Sequence, residues 1–574
     1  MTDYIQEYWE RIQSGEITVC KKIHDMYQQI ILDKAATDNQ YYYNERRAEH
    51  ALRFITQFCR QSKGVDGGKQ IKLLLWQKAM LCTLFGFVDA DGNRKYRELF
   101  LVVARKCGKT TLASAIGLYL LYADAENGPE MYSVATKKDQ AKLSWDEAKK
   151  MIRKSPALSK RARTLVGEII TDFNEGKFKP LASDSNTLDG LNPSGCIMDE
   201  VAAWTNGQAL YDVIIDGESA REQPLNIMIT TAGTVREDIF DTLYDRSMSV
   251  IEGFKNTDPD AFHDEHFLPL IYELDKRDEW TDENAWIKAN PSIDTVKSRE
   301  ALRYKVEKAK QNPMLVKNLL CKDFNIRETT AEAWLSFDVL NNEDTFVLDK
   351  ENRKLIWQPK GEDPRELPYP RYGIAGVDLS TTTDLTAAKI LFKVPECDKL
   401  FFLSMYWIPE ELVDKKVNED KIPYDRWIDR GLCRTTPGNS VHYKYVKDWF
   451  VEAQEDLDIF IPWFGYDSWS AKYFVEDMQS YFGTNSGIAV HQGKKTLSDP
   501  MKRLANDFES KRIIYNNNPI DKWCLANTAY EEDKNGNIQP HKTSKSTRRI
   551  DGTAAMLDAY VIYQDKQQDY LNMI

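Results

Sequence analysis

Ala104-Arg105-Lys106-Cys107-Gly108-Lys109-Thr110-Thr111 is the stretch that decides the reading of this 574-residue chain. It follows the apolar run Leu99-Phe100-Leu101-Val102-Val103 and opens into an almost wholly apolar segment from Leu112 to Tyr122. Strand, loop and helix in that order are what a P-loop needs, because backbone N–H groups and a helix N-terminus then face the phosphates of ATP. Lys109 is placed to reach the outer phosphate oxygens and the Thr110 hydroxyl to bind Mg²⁺. Arg105, Lys106, Gly108 and Thr111 complete the ATP-binding set. The usual first glycine of G-x-x-x-x-G-K-T is replaced by Val103.

Downstream, Gly195-Cys196-Ile197-Met198-Asp199-Glu200 is an apolar strand ending in two acids. Asp199 would hold the Mg²⁺ water shell and Glu200 would polarise the attacking water. Upstream, Gln77 ends Leu73-Leu74-Leu75-Trp76-Gln77, where its amide could read an adenine edge. Strands expected at 98–104, 130–136, 195–199 and 225–230 alternate with helical stretches. That pattern predicts an α/β motor domain with an open, mostly parallel sheet over 66–330, preceded by a helical extension over 1–65.

Residues 331–370 read as a linker, because 357–370 holds four prolines. Beyond it, strands are expected at 372–379, 386–392, 399–406 and 459–466, with a closing helix over 550–563, so 371–574 forms a second α/β domain. Asp378 and Asp467 end two of these strands. Asp551 opens the final helix, with Asp558 two turns on and on the same face. Acids so placed can converge on two divalent ions about 4 Å apart, which activate water and stabilise the leaving oxygen of a phosphodiester. Asp384 and Asp558 are alternative carboxylates. Asn535-Gly536 signals a hairpin, and Lys542, Lys545, Arg548 and Arg549 follow it as candidate contacts to a DNA backbone.

The net charge of −12 argues against a nucleic-acid partner only for the chain as a whole, since binding faces are local. Lys137–Arg163 carries ten Lys/Arg against three Asp/Glu, which a solvated helix face also explains. The nine cysteines never form a C-x-x-C pair, which favours reduced thiols over a zinc site or a disulfide framework. No run of about 18 apolar residues and no signal-peptide pattern is present, so no membrane is expected. His263-x-x-His266 lacks a third ligand nearby and reads as an acidic loop.

Leu188-Asp189-Gly190-Leu191-Asn192-Pro193 leading into Met198-Asp199-Glu200, and the Arg105-Lys106 form of the P-loop, resemble the large terminase subunit of tailed bacteriophages. So does Ala220-Arg221-Glu222-Gln223-Pro224 followed by Ile229-Thr230-Thr231-Ala232-Gly233. The resemblance runs over about 65–565. It implies an additional-strand P-loop ATPase followed by an RNase H-like nuclease. Thr230, Thr231 and Gly233 would couple phosphate loss to DNA movement, and Arg105 or Arg221 would be the arginine finger. The nuclease metals, two Mg²⁺ or Mn²⁺, map onto Asp378, Asp467 and Asp551. Further implied are double-stranded viral DNA, a small terminase subunit and a portal protein as partners. A homo-oligomeric ring at the portal, a monomer in isolation and a location in the host cytoplasm go with these. The alternative is an ATP-dependent translocase or helicase whose second domain only binds.

Overall fold

Continuous apolar runs form strands that are buried on both faces, the condition for a parallel sheet covered by helices. The computed structural model describes residues 2–36, 40–64, 66–182, 190–205, 207–233, 238–253, 264–328, 333–379, 385–420, 422–467, 472–542 and 549–574. Residue contacts divide the chain into two units, Met1–Thr234 with Asp238–Arg327, and one built from Glu328–Ile574.

The main sheet of the first unit has eight strands: β1 Glu98–Val102, β2 Glu130–Ala135, β3 Arg163–Thr164, β4 Ile169–Thr171, β5 Gly176–Ala182, β6 Gly195–Asp199, β7 Leu225–Thr230 and β8 Phe267–Ile271. Their order is β8-β1-β7-β6-β2-β5-β4-β3. All pairs from β8 to β5 are parallel, and β4 and β3 form an antiparallel tail. β7 is the additional strand, lying between the P-loop strand β1 and the acidic strand β6. Side chains alternate across the sheet. Leu99 and Leu101 enter one core with Ile116 of helix α1 (Lys109–Tyr122), while Phe100 and Val102 enter the other with Phe240 and Leu243.

The amino-terminal helices Tyr4–Gln13, Lys21–Ala35 and Glu45–Phe58 share the first of these cores. The Phe54 ring, for instance, packs edge-on to Tyr119 of α1 at 5.7 Å. Much of the basic run becomes helix α2 (Lys138–Lys154), which buries Ala141, Trp145, Ala148, Met151 and Ile152 and leaves most of its cations at the surface.

The second unit contains β9 Thr345–Asp349, β10 Lys354–Gln358, β11 Arg365–Pro368, β12 Tyr372–Asp378, β13 Thr386–Phe392, β14 Leu400–Pro409, β15 Cys433–Thr436, β16 Phe460–Asp467, β17 Gly487–Val490, β18 Ile513–Ile514, β19 Thr528–Glu532 and β20 Ile538–Lys542. Its main sheet runs β15-β14-β13-β12-β16-β17, with β18 beside β14. β13 lies between β12 and β14 and runs antiparallel to both, whereas β16 and β17 run parallel to β12. The order of the five central strands, third-second-first-fourth-fifth, is the RNase H-like topology. The β19–β20 hairpin turns through Asp533–Asn537, with Gly536 at φ 75°, where Asn535-Gly536 signalled a turn.

The reading of 357–370 as irregular chain is corrected by the structure. β9, β10 and β11 form a three-stranded antiparallel sheet. The prolines do not break it because Pro359, Pro364 and Pro370 fall outside the strands and Pro368 ends the edge strand, where a missing N–H costs nothing. Phe346 anchors this sheet, edge-on to Phe392 and Phe401 at 5.5 and 5.2 Å.

All nine cysteines are buried and unbridged. Among the described residues no helix is long and apolar enough to cross a membrane.

Candidate active sites

Parallel strands deliver their C-terminal ends to one edge of a sheet, and ligands bind there. On the first unit that edge carries the loop after β1, then Asp199 and Glu200 after β6, and Thr230 and Thr231 at the end of β7. Gly108 caps α1 in the left-handed region (φ 84°), and Lys106 shares that region (φ 68°). Val103 instead donates its N–H to the Thr230 carbonyl at 3.1 Å and keeps negative φ, so a β-branched residue is tolerated where glycine is usual.

Lys109 is 7% exposed and its ammonium lies 3.1 Å from a Glu200 carboxylate oxygen. The Thr110 hydroxyl donates to Asp199 Oδ2 at 3.1 Å, and the Ser144 hydroxyl of α2 donates to the same oxygen at 3.1 Å. Asp199 Oδ1 is buried and has no hydrogen-bond partner among the described residues. Burial, and next the Glu200 charge, raise the Asp199 carboxyl above the usual carboxylate range against the pull of Lys109 and both hydroxyls. Glu200 itself is left-handed (φ 54°), strain of the kind that collects at functional sites.

Gln77 lies in the helix Leu75–Gly86, where its side-chain oxygen accepts the Leu74 N–H at 2.9 Å. Its amide nitrogen approaches the P-loop at Gly108. The Thr111 hydroxyl donates to Glu147 of α2 at 3.2 Å. Both border a cavity of about 290 Å³, also lined by Thr110, Ser62, Lys63 and Leu143. Thr230 is fully buried, accepting the Ala202 N–H at 3.0 Å and donating to the Thr231 carbonyl at 2.8 Å. Gly233 packs so tightly on Ala202 that a Cβ would lie 3.1 Å from its carbonyl oxygen. Arg105 is exposed at the mouth of the loop.

Arg221 belongs elsewhere. It precedes β7, at the N-terminal edge of the sheet, about five strand residues or roughly 16 Å from the phosphate edge. There it pairs with Glu126 at 2.8 Å and donates to Asn192 and to the Gly128 carbonyl. Those contacts make it a structural tie, so as an arginine finger acting within its own chain Arg221 is withdrawn and Arg105 is kept. Ser144, Glu147 and Lys322, a lysine bonded to Thr231 at 3.1 Å, were not legible as site residues. The available signal for the first two was their place, three residues apart on the apolar face of α2.

On the second unit the acids also gather at strand ends. β12 and β16 are parallel neighbours in register Val377↔Tyr466, so Asp378 and Asp467 end adjacent strands about 4.8 Å apart. Helix α4 (Asp551–Asp565) lies across both. Glycines make this crossing possible. A Cβ at Gly376 would sit 2.3 Å from the Ala555 carbonyl oxygen and one at Gly465 2.6 Å from that of Asp558. A Cβ at Gly552 would meet the Tyr406 hydroxyl at 2.1 Å.

So held, α4 brings Asp551 and Asp558 to the strand-end acids. Burial, then the charge of Asp551, push Asp378 well above the usual carboxylate range. Burial raises Asp551 too, with Lys542 as the main opposing charge. Burial, then Asp378, push Asp558 well up, while Gln492 donates to it at 3.1 Å. Asp558 therefore joins the cluster beside Asp378 and Asp467. Asp551 Oδ2 is buried with no hydrogen-bond partner among the described residues. No three Asp, Glu, His or Cys side chains among those residues are tight enough to share one ion. Mg²⁺ commonly needs only one or two carboxylates, keeping water and substrate phosphate as its other ligands.

Lys542 ends β20 near these acids, but Arg549 is only 6% exposed. As an open-surface DNA contact Arg549 is corrected: burial beside Asp551 lowers its basicity and places it inside the site. Lys545, Arg548 and Asp384 lie outside the described residues. So does His263, while His266 meets the Lys95 carbonyl at 2.6 Å and Asp264 pairs with Arg246 at 2.6 Å.

Comparison with known proteins identifies the family. The family model described as the terminase large subunit ATPase domain matches residues 75–248. The one described as the terminase large subunit endonuclease domain matches 261–566, more than half of the chain by itself. The terminase large subunit of Enterobacteria phage HK97 is 27% identical over 522 residues, covering 89% of this chain and 94% of that protein. Protein YmfN of Escherichia coli K12 is 28% identical over 382 residues, 65% of this chain and 77% of that protein. The crystal structure of the HK97 large terminase aligns at TM-score 0.47 and 26% identity, covering 90% of this chain and 99% of that one. With an ATPase domain and an endonuclease domain matched in order along it, the chain belongs to the terminase large subunit family.

Proposed function

We propose that this chain packages viral DNA, using ATP hydrolysis in the first unit to move the duplex and metal-dependent hydrolysis in the second to cut concatemers. The observation that carries the reading is a pair of buried carboxylate oxygens, Asp199 Oδ1 and Asp551 Oδ2, that lack hydrogen-bond partners among the described residues. A buried carboxylate oxygen left without a partner is costly, and a divalent cation is the natural compensation.

In the first unit, Lys109 and the loop N–H groups hold the phosphates, while Thr110 and Asp199 would hold Mg²⁺. An ion held there would neutralise phosphate charge. Glu200, 3.1 Å from Lys109, positions and deprotonates the attacking water, and Arg105 stabilises the developing charge. Thr230 and Thr231 pass phosphate loss on to DNA movement. Glu200→Gln is expected to bind ATP normally and hydrolyse it on the order of 10² more slowly. Nucleotide binding and steady-state turnover on one preparation check this, and unchanged turnover would reassign the base.

In the second unit, Asp378, Asp467 and Asp551, supported by Asp558, would hold two Mg²⁺ or Mn²⁺. These ions supply an activated water and stabilise the leaving oxygen. Lys542, with Lys545 and Arg548, holds the phosphate backbone from outside, and Arg549 adds positive charge from within. Partners are double-stranded viral DNA, a small terminase subunit and a portal protein. The chain acts as a ring on the portal in the host cytoplasm and can be a monomer when free. Plasmid nicking with Mn²⁺ and ATP hydrolysis, assayed on the same protein, test the whole reading. ATPase activity without any nicking would instead favour a translocase with a binding-only second unit.

A further inference from the structure

Lys322 lies one residue from the end of helix α3 (Pro313–Asp323), more than 200 residues beyond the P-loop. Its backbone carbonyl accepts the N–H of Arg105 in that loop at 3.0 Å. Its ammonium donates to the Thr231 hydroxyl oxygen at 3.1 Å and to the Ala232 carbonyl at 3.0 Å. One residue thus ties the phosphate-cradling loop to the segment that leaves β7. Nearby contacts hold it in place: Cys321 donates to the Gly233 carbonyl at 3.5 Å, and Asn325 Oδ1 accepts the Ala232 N–H at 3.1 Å.

The partners of this ammonium are neutral oxygens, and among the described residues it forms no ion pair. An ammonium carries three donors, and two are accounted for. Burial disfavours its charged form, Glu200 favours it, and Arg105 and Lys109 oppose it. Three cations, Arg105, Lys109 and Lys322, thus stand at this edge with two carboxylates, Glu200 and Asp199, and Lys109 pairs with Glu200 at 3.1 Å. One cation is in excess of the carboxylates at this edge, where the P-loop reading puts the phosphates, and charge-assisted bonds to phosphate are roughly twice as strong as those to neutral oxygens.

We propose that Lys322 binds the terminal phosphate of ATP, exchanging Thr231 and Ala232 for it, and thereby signals that phosphate to the segment after β7. Lys322 is on this view a second phosphate-binding lysine, contributed by α3. The inference rests on the assignment of ATP to the P-loop.

Titration with fluorescent ATPγS and ADP, each with Mg²⁺, separates the possibilities. K322M is expected to weaken ATPγS by about 10- to 100-fold, the loss of one charge-assisted bond, and to leave ADP within about twofold. K322R, which keeps the charge, is expected to restore most of the ATPγS affinity. Equal weakening of both nucleotides would mean a structural tie and overturn the proposal, as would no change in either. Should K322M fail to fold, T231V reads the same competition: removing the rival acceptor tightens ATPγS and not ADP, and absence of tightening overturns the proposal. K109A is the control for the underlying assignment. If wild-type protein and K109A bind both nucleotides alike, the P-loop assignment itself fails.

Discussion

Asp378→Asn is expected to abolish plasmid nicking while ATP hydrolysis continues. Asp378 stands at the centre of the carboxylate cluster, feeling both Asp551 and Asp467, and its strand is the one α4 crosses most closely. Amide replacement removes one negative charge from a site built to attract dications. Losing even an outer partner of a metal ligand commonly costs about 10- to 100-fold, so losing a ligand should exceed about 10² in cleavage rate. The buried acids repel one another, so the variant should fold at least as well as the parent. Nicking at saturating Mn²⁺, with thermal unfolding in parallel, is the measurement. A folded variant that still nicks at near-parental rate would remove Asp378 from the metal site.

Lys109→Ala should produce the converse. The ammonium is buried, and in this structure Glu200 occupies it at 3.1 Å. Its removal leaves Glu200 without that partner and the phosphates without their main cation. A single preorganised charge contact of this kind is worth about 10² to 10³ in rate, and impaired nucleotide binding adds to the loss. Metal-dependent nicking should persist, because the two sites belong to separate units. Equal loss of both activities in a folded variant would contradict that independence.

Much of this was legible in the sequence, for identifiable reasons. β1 and β6 carry unbroken apolar runs and β7 one interrupted only by Asn226, the pattern a strand covered on both faces favours. Asp199, Asp378 and Asp467 end such runs, so the chain direction alone sent them to the ligand edge. What escaped depends on three dimensions. Arg221 sits in a stretch that resembles the family's motif, but local sequence does not say at which edge of a sheet a loop emerges. β9–β11 were hidden because prolines argue against strands in general, and only the strand order shows that Pro368 occupies an edge. Lys322 was invisible because its partners are some 90 and 217 residues away along the chain.

Glu200 carries one more implication, for how such a chain can change. The left-handed backbone costs an ordinary side chain about 1–2 kcal/mol and costs Asn or Gly much less. On the proposed reading stability and turnover therefore pull position 200 in opposite directions, and comparing the unfolding free energies of Glu200→Gln and Glu200→Asn isolates the backbone pull. A lineage screened only for persistence of the folded protein would drift away from glutamate here. Keeping glutamate there would take continued selection for hydrolysis, the role proposed for it.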